Sequence, residues 1–489
     1  MTRSSVRFFV NGRPHEVEGK AAFASLSEYL RDHLRLTGTK IVCAEGDCGA
    51  CSVLVGRPTL DGQRLRYRAV DACIALLPQL DATHIVTVEG LAAEDGTMTA
   101  VQSAMIDCHG SQCGFCTPGF VTTMHGMLEP DAGECCSRDD VALGLSGNLC
   151  RCTGYQQILE AFEQARSRGV AAMNARYDEA SMLQTLNDLR CDEVVLSGGE
   201  MRACVPRTIE AVLAYKSEHP AARLISGSTD IGVQRTHGRF HDQDWLVLTG
   251  IDELSRIGDG TVKGRSSISI GAGATWTEVL DALDERFVEF DPILKRFGSP
   301  QIRNMASIGG NLVNASPIAD SIPFLFVAEA TLTMRSAGGG VRNVRVDEFY
   351  RGYKDVDLRP DEIVTAVHLP LPHHDEFFKL YKFSKRNDMD ISTMTAAFRL
   401  TIRDSVVHQA RIALGGVGPT VVRIPDAEKA LIGKPFDRDN MLTAGELAAA
   451  AITPIDDVRG KARYRQTLAR NVFLKCHDDL SDQPLGASA

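Results

Sequence analysis

The run Cys43-Ala-Glu-Gly-Asp-Cys48-Gly-Ala-Cys51, with a fourth thiol at Cys73, decides how the rest of the chain is read. Its spacing is C-x4-C-x2-C followed by a distant cysteine. Gly46 and Gly49 stand between the thiols. Glycine tolerates φ > 0, so the backbone can wrap tightly and aim amide N–H groups at sulfur. A second set follows at Cys113, Cys116, Cys150 and Cys152, a C-x2-C paired with a C-x-C. Each set can supply four thiolates to one compact inorganic site.

The first spacing is the plant-type ferredoxin pattern and predicts a 2Fe–2S cluster. Hydrogen bonds from the loop to the sulfurs would tune its potential. Structural zinc is the competing reading, since zinc takes four thiolates, usually from two short knuckles. The first set has a poor knuckle pattern; the second, taken alone, is more ambiguous. Disulfides need an oxidising compartment. The opening Met-Thr-Arg-Ser-Ser-Val-Arg lacks an apolar h-region, which predicts a cytoplasmic protein with reduced thiols. Six of the 14 cysteines lie outside the two sets: Cys108, Cys135, Cys136, Cys191, Cys204 and Cys476. They read as small packing residues or free thiols.

A chain of 489 residues is too long for one ordinary domain, and three or four are expected. A composition of 44% hydrophobic and 24% charged residues is globular. A net charge of −10 argues against nucleic acid as the main partner. No run of 18 apolar residues occurs, so no membrane-spanning helix is expected.

Residues 1–88 read as a small α+β module of β-grasp ferredoxin order. Asn11-Gly12 between Val6–Val10 and His15–Val17 signals a type I′ hairpin. Ser25 and Glu28 form a capping box that opens a helix with Leu26, Tyr29, Leu30 and Leu34 on one face. The strand Cys51–Val55, a turn at Asp61-Gly62 and a strand carrying Cys73 complete the module. Residues 89–167 read as helical. Thr117-Pro118 offers an N-cap and a proline for one helix, and Thr153-Gly154-Tyr155 opens another. Both cysteine pairs then fall at helix N-termini, where the dipole favours a negatively charged cluster. Residues 168–203 read as a linker with a short helix near Glu179–Leu189.

From 204 to 372 glycines accumulate between β-branched runs. Arg223–Gly232 and Phe297–Asp320 are small-residue stretches whose consecutive N–H groups suit a pyrophosphate. No G-x-G-x-x-G fingerprint occurs; Gly271-Ala-Gly273-Ala lacks the third glycine, so a Rossmann site is not expected. Residues 373–489 read as a last α+β unit, with strands at Met394–Arg403 and Gln409–Gly416 and helices near Asp439–Ala451 and Lys461–Leu474. The polar residues His109, His125 and Glu45 read as surface or packing groups.

The order of modules resembles the molybdenum hydroxylase family, in particular small subunits of the xanthine dehydrogenase type. The match covers nearly all of residues 6–480. Its most specific part is Gln112-Cys113-Gly-Phe-Cys116-Thr-Pro-Gly with Gly147-Asn-Leu-Cys150-Arg-Cys152-Thr-Gly-Tyr. The resemblance implies an α+β multidomain fold: a β-grasp 2Fe–2S domain (1–88), a helical 2Fe–2S domain (89–167), a vanillyl-alcohol-oxidase-type FAD domain (204–372) and a C-terminal flavoprotein domain (373–489). Leu224, Ile225, Ser226, Gly227, Ser228, Thr229, Asp230 and Ile231 match its first pyrophosphate loop. Ser307, Ile308, Gly309, Gly310 and Asn311 match the second. Phe297 matches the aromatic position near the flavin, and Asp320 the acid near the adenosine. Val364 and Lys382 match positions by the adenine and the flavin side. Tyr353 and the 386–391 loop match the region where NAD meets the flavin. Asn314 departs from a threonine found in some relatives.

The resemblance further implies two 2Fe–2S clusters and FAD on this chain, NAD as acceptor, and the molybdenum cofactor on a large partner subunit, in a heterotetramer of two small and two large chains. The expected activity is electron transfer from a partner that oxidises hypoxanthine or xanthine, with no general base or nucleophile here. Three rivals remain, the first two being the equivalent subunit of an aldehyde or N-heterocycle hydroxylase and a stand-alone flavin–iron–sulfur NADH reductase. A zinc-stabilised interaction module without redox chemistry is the third.

Overall fold

A computed structural model gives the fold and describes residues 2–133, 137–283 and 286–481. Cys135 and Cys136 lie outside the described residues. The chain divides into two units. The first holds the residues through Ser255 together with Thr275–Thr277 and Gly298–Ser307; the second holds the remainder.

In the first unit, the opening module is a five-stranded mixed sheet in the order Arg13–Val17, Val6–Val10, His84–Val86, Ser52–Pro58, Leu65–Asp71. The hairpin turn is the expected one: Asn11 and Gly12 have φ of 50° and 79°, as a type I′ turn needs. The Ser25 hydroxyl accepts from Glu28 N–H while the Glu28 carboxylate accepts from Ser25 N–H, which closes the capping box. The helix is α only over Leu26–Glu28, then widens to a π turn over Tyr29–His33. Leu26, Tyr29 and Leu30 are buried by it, and Leu34 packs at the edge. Cys73 falls two residues beyond its strand rather than within it.

Four helices follow, Ala100–Asp107, Thr117–Met127, Arg138–Gly144 and Gln156–Arg168. They share a core of Phe120, Met124, Ile158 and Phe162 with Leu54 and Tyr67 of the sheet. Thr117 does not cap its helix: Cys116 occupies the N-cap, with no side-chain bond, and the proline lies inside the first turn. The segment expected as a linker contains the helix Glu179–Leu189, but residues beyond it form two strands, Glu193–Gly198 and Met201–Val205. These build a second sheet, in the order Thr2–Arg3, Glu193–Gly198, Met201–Val205, Asp244–Val247, Arg223–Ile225. The two sheets share one core, in which Phe23 meets Trp245 edge-on at 5.2 Å.

The second unit carries a five-stranded antiparallel sheet, Ile257–Val262, Arg265–Gly271, Glu362–Pro370, Thr331–Ser336 and Val341–Arg345 in spatial order. A further antiparallel sheet, Glu376–Phe383, Met394–Arg403, Val406–Gly415 and Val422–Arg423, packs on the helices Pro425–Leu431, Arg438–Ala451 and Ala462–Ser481 through Phe398, Ile412, Met441 and Phe473. Cys476 is fully buried in that core, and Cys204 is buried in the first unit. Cys108 is half-buried and Cys191 exposed.

One buried acid has a measurable consequence. Glu129 accepts from Met173 N–H at 3.0 Å, yet burial pushes its carboxyl up to about 7 from 4.5. Because the folded value lies above the unfolded one, stability falls as pH rises between those values and is flat above them. Glu129→Gln keeps the acceptor and removes the charge. Its melting temperature at pH 8 is expected to exceed that of the parent by an amount worth about 2–3 kcal/mol, and by less at pH 5.5. Identical melting curves at pH 8 would show that Glu129 carries no such burden.

Candidate redox centres

The cysteine loop folds as its glycines require. Gly46 and Gly49 have φ of 73° and 65°. The N–H groups of Glu45 and Asp47 both point at Cys43 Sγ at 3.4 Å. Cys43 shares hydrogen bonds with the thiols of Cys48 and Cys73, and Cys73 with that of Cys51. Those bonds, from Cys48 first, hold the Cys43 thiol far below its ordinary range. The same contacts and burial push Cys48 and Cys73 up. Thiols in mutual contact oppose one another's ionisation, so holding them as thiolates calls for positive charge among them. Cys51 also donates to Asp71 at 3.7 Å, a fully buried carboxyl that burial pushes up to about 7.

The second set meets in two pairs, Cys116 with Cys150 and Cys113 with Cys152. Burial, then Cys150, pushes Cys116 up to about 12. Burial opposes ionisation of Cys150 too, but the Thr153 hydroxyl donates to its sulfur at 3.2 Å and the net shift is downward. Cys150 N–H in turn donates to the Tyr155 hydroxyl at 2.9 Å. Cys116 lies at a helix N-terminus as expected. Cys150 and Cys152 do not; they lie in a bent run short of the helix that starts at Gln156. The donor chemistry, soft thiolates in paired contact under N–H and O–H donors, suits a cluster of two irons.

The sets are joined by backbone. Leu149, beside Cys150, donates its N–H to the carbonyl of Cys48 at 3.0 Å. The second set is also the more open: Cys113 and Cys152 are exposed, and so are the apolar side chains of Phe115 and Leu149 beside them.

The first small-residue turn runs from the strand Arg223–Ile225 into the helix Thr229–Thr236, with Ser228 at φ 51°. It packs directly on the first cysteine module. Ser228 Oγ donates to the carbonyl of Ile74, next to Cys73, at 2.7 Å, and a Cβ on Gly232 would come within 2.6 Å of Ile74. Thr236 Oγ1 donates to the carbonyl of Ala44 at 2.6 Å, and His237 meets Glu45 at 2.7 Å in a partly exposed pair, which fits the reading of Glu45 as a surface or packing group. His125 is buried and bonded to Thr99 at 2.9 Å, a packing residue; His109 is exposed. The two loop stretches meet within the first unit: Ser226 and Ser307 share a hydroxyl bond of 2.7 Å. Gly227 admits no side chain, since its Cβ would lie 2.2 Å from the Met305 carbonyl.

In the second unit, Gly309 donates to Ala272 at 2.8 Å, which closes the helix Ile308–Asn314 onto the Gly271–Gly273 turn. Asn311 accepts from Ser321 Oγ at 2.6 Å, and Asn314 from Lys354. Val364 is buried on its strand. Asp320 precedes the helix Ser321–Val327 without a side-chain capping bond, and its carboxylate takes Lys382 Nζ at 2.5 Å and Ser392 Oγ at 2.5 Å; Lys382 also donates to Ser392 at 2.8 Å. Phe297 belongs to this unit, and Tyr353 is exposed on it. Ser392 was not signalled in the sequence, being a lone polar residue in no motif; Thr153 was read only as opening a helix after the second cysteine pair, and Gln301 only as part of the Phe297–Asp320 stretch.

Comparison with known proteins follows these modules. Family models match at residues 8–77 ("2Fe-2S iron-sulfur cluster binding domain"), 87–163 ("[2Fe-2S] binding domain"), 199–372 ("FAD binding domain in molybdopterin dehydrogenase") and 379–480 ("CO dehydrogenase flavoprotein C-terminal domain"). Xanthine dehydrogenase of Drosophila pseudoobscura pseudoobscura is 30% identical over 98% of this chain and 39% of that protein. Aldehyde oxidase 1 of Oryctolagus cuniculus is 29% identical over 97% of this chain and 39% of that protein. A reconstituted CO dehydrogenase from Oligotropha carboxidovorans superposes with a TM-score of 0.52 and 25% identity, over 55% of this chain and 94% of that one. The chain belongs to the molybdenum hydroxylase family, and within it carries the iron–sulfur and FAD-binding domains. It spans about two fifths of the length of the curated relatives it matches, 39% for the first.

Proposed function

We propose that the chain is the electron-transfer part of a xanthine dehydrogenase, passing electrons from a molybdenum centre on a large partner subunit to NAD. When bound, the clusters would supply single-electron steps and FAD the exchange between single electrons and hydride. Cys43, Cys48, Cys51 and Cys73 would hold one cluster, and Cys113, Cys116, Cys150 and Cys152 the other. Leu224–Ile231 and Ser307–Asn311 would cradle the pyrophosphate of FAD, with Phe297, Asp320, Val364 and Lys382 around its other parts.

The observation that carries this reading is the continuous hydrogen-bonded order of the first unit. The second thiol set touches the first through Leu149 and Cys48, and the first touches the flavin loop through Ile74 and Ser228. In this reading the side chains position and bury the cofactors. The exposed Phe115 and Leu149 beside the more open thiol set support docking of a partner there. No helix among the described residues is long and apolar enough to cross a membrane, and reduced thiols suit the cytoplasm. The likeness to aldehyde oxidase 1 supports a second reading, the same role in a hydroxylase of aldehydes or N-heterocycles.

Co-purification with its partner, followed by assay of iron, flavin and molybdenum, tests the reading. About four irons and one FAD per chain are expected, with molybdenum arriving only with a large partner, and NAD reduction that depends on purine. Aldehyde-dependent reduction would favour the second reading. Iron and FAD without a partner would favour a stand-alone reductase, and zinc in place of iron would overturn all three.

A further inference from the structure

We propose that Gln301 is a positioning residue that sets the spacing of the two clusters; the proposal rests on the redox reading above. Gln301 lies on the turn Pro300–Arg303, six residues before Ser307, and none of it is exposed. Its side-chain nitrogen reaches into both cysteine modules. Nε2 donates to Asn148 Oδ1 at 2.8 Å, and lies 3.2 Å from Thr123 Oγ1 and 3.3 Å from Ser52 Oγ. Ser52 follows Cys51, Asn148 stands two residues before Cys150, and Thr123 is on the helix that Cys116 opens.

The direction of these bonds is determined by one atom that can only accept. The carbonyl of Gly49, inside the first thiol loop, takes Asn148 Nδ2 at 3.0 Å and Ser52 Oγ at 2.8 Å. Asn148 must therefore turn its oxygen toward Gln301, and Gln301 must answer with its nitrogen. The cost is visible: Gln301 Oε1 is buried without a hydrogen-bond partner, in the space a Gly147 Cβ would take. The backbones beneath are in close contact. A Cβ on Gly49 would lie 2.3 Å from the Gly147 carbonyl, and one on Gly119 would lie 2.2 Å from the Gly49 carbonyl. With no side chains to act as spacers there, the amide lattice of Gln301, Asn148 and Ser52 works beside the Leu149–Cys48 backbone bond to register the two loops.

The test uses the full chain, purified with its cofactors, as Gln301→Met and Gln301→Glu variants. Met keeps the volume without the donor; Glu keeps the shape but sets an acceptor against Asn148 Oδ1. Iron, sulfide and FAD are assayed first. Low-temperature EPR of the fully reduced protein then reads the mutual splitting of the two cluster signals, which depends steeply on their separation. The expected result is full iron and FAD content with a changed splitting in both variants, larger for Glu. Should Glu fail to fold, Met alone decides. Unchanged splitting at full iron content would overturn the proposal alone. Parent protein without iron would overturn the redox reading and the proposal with it.

Discussion

A Cys51→Ser variant is expected to lose one cluster and keep the other, with iron falling from about four to about two atoms per chain. Cys51 is 2% exposed, shares a bond with Cys73 and faces the buried carboxyl of Asp71. A hydroxyl there offers no soft thiolate, and burial opposes its ionisation. The second set keeps its four thiols, since its pairs and the Thr153 donor lie apart from Cys51. Iron and sulfide analysis with EPR would show one signal surviving. Full iron in the variant would mean that Cys51 is no ligand. Loss of both signals would mean that the two sets fold only together.

The second large effect is expected at Lys382. Lys382→Met strands the Asp320 carboxylate, now facing only Ser392, with 6% of its side chain exposed. Removing one partner of a buried ion pair costs about 3–5 kcal/mol, a drop in melting temperature of roughly 10 °C for a unit of this size. The variant should also purify with little FAD. Adding Asp320→Asn to Lys382→Met removes the orphaned charge and should recover most of the stability but not the FAD. If the single and double variants melt alike, the pair is not what stabilises this region; if the single variant keeps its FAD, Lys382 has no part in holding it.

Much of the fold was legible because its signals are local. Asn11-Gly12 requires two positive φ values in succession, and the Ser25–Glu28 box is written in four residues. The strand Met394–Arg403 falls where its β-branched and apolar run predicts, and the thiols of each set meet as their spacing suggests. What escaped depends on distant partners. Thr2–Arg3 is a strand only because Glu193–Gly198 lies beside it, 190 residues on, and that pairing turns the end of a presumed linker into sheet. Cys73 slips off its strand because Cys51 and Cys43 draw it into their loop. Ser392 sits in a loop with no motif, and its role emerges only when Asp320 and Lys382 come within reach. Gln301 bonds residues 153 to 249 positions away, a relation no spacing rule encodes.

The first unit borrows Thr275–Thr277 and Gly298–Ser307 from far along the chain. During synthesis, therefore, the iron–sulfur modules can begin to fold early but cannot finish until residue 307 has left the ribosome. Until then Ser226 lacks Ser307, Asn148 lacks Gln301, and the Ala69 carbonyl lacks Asn304. Such long-range closure is slow. It leaves the nascent chain an interval in which the buried thiols of the first loop, Cys51 and Cys73, have yet to be enclosed by the finished unit.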